Sequence, residues 1–168
     1  AGTVIYNYGL WQAESDNEYN NALGGCCAEV FNNLGVFRKA AGTGTTAIGA
    51  PASGVLFNNA GLLDVQSGTV SLATAHNLTG GNINIGITSL SNFGRVALAG
   101  AAAFTGNFSA NLNGGYIPIT NNSFPVITYD SLSGRFTTHS LPFADAWTTN
   151  YSPTVFSLYV LNARPILT

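Results

Sequence analysis

Three stretches of the chain share one frame: Ile5-Tyr6-Asn7-Tyr8-Gly9-Leu10-Trp11, Phe31-Asn32-Asn33-Leu34-Gly35-Val36-Phe37 and Phe57-Asn58-Asn59-Ala60-Gly61-Leu62-Leu63. Their glycines fall at positions 9, 35 and 61, so the frame recurs every 26 residues. A fourth stretch, Leu90-Ser91-Asn92-Phe93-Gly94-Arg95-Val96, follows after a step of 33, and the extra length predicts an inserted turn or short strand over residues 79–87. Between the frames, short runs of Val, Ile, Thr, Phe and Tyr alternate with Gly, Asn, Ser and Pro clusters, with almost no helical periodicity. A strand-built unit of this length cannot bury its inner face alone, and stacking successive units supplies the missing partner. The predicted fold is all-β, a parallel β-solenoid (β-helix) with coils of about 26 residues.

Alignment of the frames sorts the side chains. Trp11, Phe37, Leu63 and Val96 stand two places after the glycine and form the expected stacked core. Gln12, Arg38, Asp64 and Ala97 follow them and should face outward, as strand alternation requires. Asn7, Asn33, Asn59 and Asn92 stand two places before the glycine, at a corner. Asn tolerates tight turns, and amides stacked in register hydrogen-bond into a ladder. From about residue 114 the period is lost and aromatics concentrate, with strands expected at 116–119, 124–129, 134–138 and 155–161. The expected organisation is therefore solenoid coils over 1–113 and a β-rich C-terminal cap over 114–168, packed as one continuous domain.

Composition narrows the function classes. Of 168 residues, 46% are apolar and only 7% charged, against roughly 25% charged in an ordinary soluble domain. The outer surface must then be wetted by amides, hydroxyls and backbone. A net charge of −2 gives no basic field for nucleic acid. No apolar run is long enough for a transmembrane helix. Catalytic constellations are missing from the pattern: Arg38 and Asp64, 26 residues apart, read as an ion pair between adjacent coils, beside the sole lysine, Lys39. His76 and His139 have no ligand-spaced neighbours. Neither an enzyme nor a cofactor is expected. The one acidic cluster, Glu14, Asp16 and Glu18, is a candidate calcium loop, but it lacks the mid-loop glycine such loops use, and a solvated loop is the simpler reading. Cys26 and Cys27 are adjacent, and three states compete: a vicinal disulfide, bonds to a neighbouring subunit, or buried thiols. The preceding Gly24-Gly25 favours the vicinal bridge.

Phe31-Asn32-Asn33-Leu34-Gly35, Phe37-Arg38-Lys39-Ala40-Ala41-Gly42-Thr43-Gly44 and Phe57-Asn58-Asn59-Ala60-Gly61, with the closing Ser123-Phe124-Pro125-Val126-Ile127-Thr128-Tyr129, resemble repeat regions of large secreted bacterial β-helical surface proteins of the adhesin or autotransporter-passenger type. The resemblance implies a secreted protein, extracellular or on the bacterial cell surface, with a structural or adhesive role. An uncovered solenoid end invites another strand, so Val4, Ile5 and Tyr6 are the expected assembly end of a head-to-tail homopolymer. The rival function is a carbohydrate-binding or polysaccharide-degrading module, with surface glycans as partner.

Overall fold

Each turn of the chain consists of short strands joined by tight corners, because Gly and Asn interrupt the β-branched and aromatic runs every few residues. The computed structural model describes residues 2–20, 29–49, 54–72 and 75–162. The first coil holds β1 (Val4–Asn7), β2 (Leu10–Ala13) and β3 (Glu18–Tyr19). The second holds β4 (Glu29–Asn33), β5 (Val36–Lys39) and β6 (Thr45–Ile48), and the third β7 (Val55–Asn59), β8 (Leu62–Val65) and β9 (Thr69–Leu72). Next come β10 (Ala75–Asn77), β11 (Asn82–Ile87) and β12 (Arg95–Leu98), then β13 (Ala101–Phe104), β14 (Asn107–Leu112) and β15 (Ser123–Thr128). The chain ends in β16 (Ser131–Gly134), β17 (Thr138–Ser140), a 3₁₀ turn at Ala144–Ala146, β18 (Trp147–Tyr151) and β19 (Val155–Val160).

Equivalent strands stack in parallel into walls, which makes the molecule a β-solenoid. One wall runs β1-β4-β7-β10 and a second β2-β5-β8-β11-β14-β17; a third runs β3-β6-β9-β12-β15, and β13 pairs with β16. Register is kept from coil to coil: Phe31 lies over Phe57 and Phe37 over Leu63. Inward positions alternate with outward ones, so Val55, Phe57 and Asn59 of β7 are buried between half-buried Leu56 and Asn58. The aromatic rings lean on one another along the axis, with Phe31 and Phe57 stacked at 5.6 Å and Phe37 edge-on to both.

The expected inner column holds for Phe37 and Leu63, which are buried; Trp11 pairs in register with Phe37 but is exposed on the first coil. Its next member is Ile83, and Phe108 follows. Val96 belongs to another wall, where it pairs with Val70 and Ile127. The amide ladder is likewise Asn7, Asn33 and Asn59: Asn7 Nδ2 donates to Asn33 Oδ1 at 2.8 Å, and Asn33 Nδ2 to Asn59 Oδ1 at 2.7 Å. Asn59 Nδ2 ends the row on the carbonyl of Asn82 at 3.1 Å. Asn92 lies instead in a turn, where its carbonyl accepts the N–H groups of Thr88 and Ser89 at 3.0 Å.

The cause is a change of step. The N–H after each frame glycine bonds the previous glycine's carbonyl: Val36 to Gly9, Leu62 to Gly35 and then Asn82 to Gly61, each at 2.8 Å. Gly81, not Gly94, therefore continues the series, and residues 82–87 are the regular strand β11 rather than an insertion. A Cβ at Gly61 would run into the Gly35 carbonyl oxygen, and one at Gly106 into that of Gly81, so close stacking demands glycine here. The residues saved in this short step reappear after β11 as an excursion closed by an antiparallel bridge between Ile87 and Phe93.

The solenoid also runs past residue 114. β15, β16 and β17 pair in parallel with β12, β13 and β14. Closure comes only from β19, antiparallel to β15, and β18, antiparallel to β19. Residues 116–119 and most of 134–138, expected as strands, form loops and corners, and β18 is a strand the sequence pattern did not indicate.

Replacing Asn33 with Ala leaves Asn7 Nδ2 with only the Val36 carbonyl as acceptor and removes the donors to Asn59 Oδ1 and the Leu62 carbonyl. We expect a loss on the order of 2–4 kcal/mol in urea unfolding. Asn92→Ala, outside the ladder, should cost about 0.5 kcal/mol or less; equal losses would refute the ladder's role.

Candidate functional site

Among the described residues, β1, β2 and β3 each pair on one side only. Val4, Tyr6, Tyr8, Leu10 and Trp11 are all at least 41% exposed, the densest set of exposed large apolar side chains among the described residues. Tyr6 and Tyr8 stack at 6.3 Å, and Trp11 stands edge-on to Phe31 at 5.2 Å. Ile5, named with Val4 and Tyr6 as the assembly end, points inward and packs against the core. Gly35 and Gly61 donate to the carbonyls of Asn7 and Asn33, while Gly9 N–H donates to Asn7 Oδ1 at 3.2 Å.

The three acids of this coil do not converge, and among the described residues no group of three or more His, Cys, Asp or Glu could hold a metal ion. Glu14 accepts from Gln12 Nε2 at 2.7 Å. Asp16 is turned onto Lys39, whose Nζ lies 2.7 Å from Oδ1, while Gly44 N–H donates to Oδ2 at 3.1 Å. Glu18 is exposed on β3. Cys26 and Cys27 lie outside the described residues.

Lys39 is not on the outer surface beside Arg38. Alternation along β5 sends Phe37 and Lys39 inward, in register with Leu63 and Val65. Its stem is fully buried, and its ammonium reaches the corner, where Thr46 Oγ1 and the carbonyls of Ala41 and Ser15 also accept from it at 3.0, 3.1 and 3.3 Å. Every proton of the buried charge thus has a partner, which is the condition for tolerating it.

Arg38 Nε does donate to Asp64 Oδ2, at 2.6 Å, but Asp64 is buried rather than solvated. Its other oxygen accepts from Gln66 Nε2 and from Asn84 Nδ2. Asn84 also donates to Asn111 Oδ1 at 2.8 Å, and Asn113 Nδ2 to Gln66 Oε1 at 2.9 Å. This outer face is a closed amide network, and its groups are occupied with one another.

His76 takes the place of a ring in the inner column, in register with Phe57. Both its nitrogens are shut off from solvent without a hydrogen-bond partner. Burial lowers its pKa, offset only in part by the nearby Ala101 backbone. His139 Nε2 meets the Tyr151 hydroxyl at 2.9 Å. That hydroxyl also accepts from Phe136 N–H at 3.2 Å, and the Arg135 guanidinium lies over the Tyr151 ring at 4.8 Å.

At the opposite end, β17 covers only Asn107 to Ser109 of β14. The remainder of β14 borders an apolar cavity of about 340 Å³, lined by Leu112, Tyr116, Ile117, Phe143 and Trp147. Sequence reasoning missed this recess, because it arises where a strand stops short. The only signal was the density of aromatics after residue 114. Comparison with protein-family models, with curated proteins and with solved structures found no match.

Two outcomes follow from the buried charges. The Lys39 hydrogen bond, with Gly44 N–H and the lysine charge, holds the Asp16 carboxyl below its ordinary pKa against a smaller opposing effect of burial. Its contribution is present above the unfolded value near 4 and is lost as pH falls through the folded value. Acid unfolding curves should therefore shift to higher pH in Asp16→Asn. Lys39→Met, which fills the same channel without a charge, should stay within about 1 kcal/mol of wild type at pH 7. The His76 imidazole must stay neutral in the fold, so its effect has a separate window. Stability should fall as pH drops below about 6.5, and His76→Phe should flatten that slope in denaturant titrations.

Proposed function

We propose that this protein is a structural β-solenoid of secreted or cell-surface type whose subunits join head to tail. The observation that carries the reading is the first coil: among the described residues, three wall edges pair on one side only and coincide with exposed Val4, Tyr6, Tyr8, Leu10 and Trp11. Isolated exposed hydrophobics are ordinary, but a contiguous set on an open edge is a surface for another chain. The two ends are also unlike. The first coil brings Glu14, Asp16 and Glu18 with no base of its own, while the last coils carry exposed Arg135 and the apolar recess beside Leu112. A contact between unlike ends does not close on itself and propagates into a filament. Sparse charge and the resemblance to secreted surface repeats support the extracellular setting.

Fibres of the wild type should scatter with a meridional repeat near 4.8 Å, the spacing of parallel strands stacked along the axis. Val4→Lys combined with Leu10→Lys places charges on exposed edge positions, a natural block to edge pairing. The variant should remain monomeric in light scattering with an unchanged circular dichroism spectrum. Wild-type protein that stays monomeric at high concentration would overturn the reading.

A further inference from the structure

Corners between the second and third walls are short in the first three coils, at three to five residues: 14–17, 40–44 and 66–68. In the next two they widen to seven and ten, over 88–94 and 113–122. Insertions in a solenoid gather on one face, and that face is commonly the binding face. Here the widened corners wall a single groove of about 440 Å³ on the outside of the third wall.

Arg95, the first residue of β12, lines this groove. Its guanidinium lies 3.7 Å over the ring of Phe93, which sets the plane of its donors. The ion pairs among the described residues are Arg38–Asp64 and Lys39–Asp16, so Arg95 faces no carboxylate of its own. A partly buried guanidinium stays charged, and its fork of donors matches a carboxylate with two parallel hydrogen bonds. Across the groove stand Asn121, Asn122 and Ser123. The Oδ1 of Asn122 is already engaged by Ile119 N–H at 3.0 Å and by the Tyr116 hydroxyl at 3.1 Å, which leaves its Nδ2 as a donor. Asn121 is held in the left-handed region, at φ 70°, in the turn that presents these groups. Leu90 and Pro125 add apolar rim.

We propose that this groove binds an acidic saccharide: the carboxylate of a uronic acid on Arg95, its hydroxyls on Asn122 and Ser123, and its C–H face on Leu90 and Pro125. The requirement is joint. A carboxylate alone would leave the amide side of the groove unused, and a neutral sugar would leave the guanidinium unpaired. The groove lies on coils remote from the first coil, so it stands or falls independently of head-to-tail assembly.

The test is amide chemical-shift titration of the whole chain with glucuronate, glucose and acetate, each to about 50 mM, a range suited to millimolar affinity. Glucuronate should shift the amides of Phe93, Arg95, Asn122 and Ser123 and bind at least tenfold more tightly than glucose or acetate. Arg95→Gln should lose at least tenfold in glucuronate affinity, with Arg95→Lys between it and wild type, since the charge remains and the fork does not. If Arg95→Gln does not fold, the three-ligand comparison on wild type decides alone. Equal binding of glucose and glucuronate, acetate matching glucuronate, shifts confined to other residues, or no shift at all would each overturn the proposal.

Discussion

The hydrogen bond from the N–H after one corner glycine to the carbonyl of the glycine one coil earlier sets the terms for the whole molecule. It repeats at 2.8 Å from Val36 to Gly9, Leu62 to Gly35 and Asn82 to Gly61. It forces the corners so close that no Cβ fits at Gly61. With the corners superposed, register is fixed in the strands on either side, and a slip of one residue would turn the inner columns outward. The Asn7–Asn33–Asn59 ladder depends on the same superposition and reinforces it, since each amide reaches its neighbour only in register.

Much of this was legible in the chain because stacking converts spacing into contact. Positions 26 residues apart did meet for Trp11 with Phe37, Arg38 with Asp64 and Asn33 with Asn59. The reading failed where the step changed. Asn92-Phe93-Gly94 imitates the corner motif, yet it closes the excursion between β11 and β12, and the next N–H, of Arg95, bonds the carbonyl of Gly68. Asn and Gly are favoured by any tight turn, so a single copy of the motif cannot say which corner it occupies; only the downstream register can. The sequence alone left the placement of Lys39 open. Its strand parity pointed inward, but its charge argued for solvent, and the conflict was resolved by acceptors supplied from the neighbouring corners, Ser15, Asp16, Ala41 and Thr46. Such partners converge only in three dimensions.

The sparse charge of the chain is explained by what replaces it. Along the outer face of the second wall, Gln66, Asn84, Asn111 and Asn113 donate and accept among themselves and onto Asp64. Gly86 makes room, because a Cβ there would strike Gln66 Oε1. Neutral amides can stack on like amides in successive coils, whereas like charges repeated at strand spacing repel. A parallel solenoid repeats each position directly above its predecessor, so it selects amides and hydroxyls where an ordinary surface would use Lys and Glu.

Repetition also decides where such a molecule can engage anything else. Within the regular coils, the described strands pair with the coils on either side, and the amides of the second wall bond one another. Among the described residues, valence is left open where the repeat is broken: at β1, β2 and β3, which pair on one side; at the end of β14, where β17 stops short; and at the two widened corners around Arg95. The first two breaks are apolar and terminal, suited to a like surface at the end of another solenoid. The third is lateral and combines a cation with amides, suited to a small polar ligand. Under the head-to-tail assembly proposed above, contact along the axis would cover the first two breaks and leave the third open on every subunit, so polymerisation and ligand binding would not compete for surface. In a filament the Arg95 groove would recur once per subunit along one flank, and an acidic polymer lying on that flank would meet it many times, gaining affinity through multivalency.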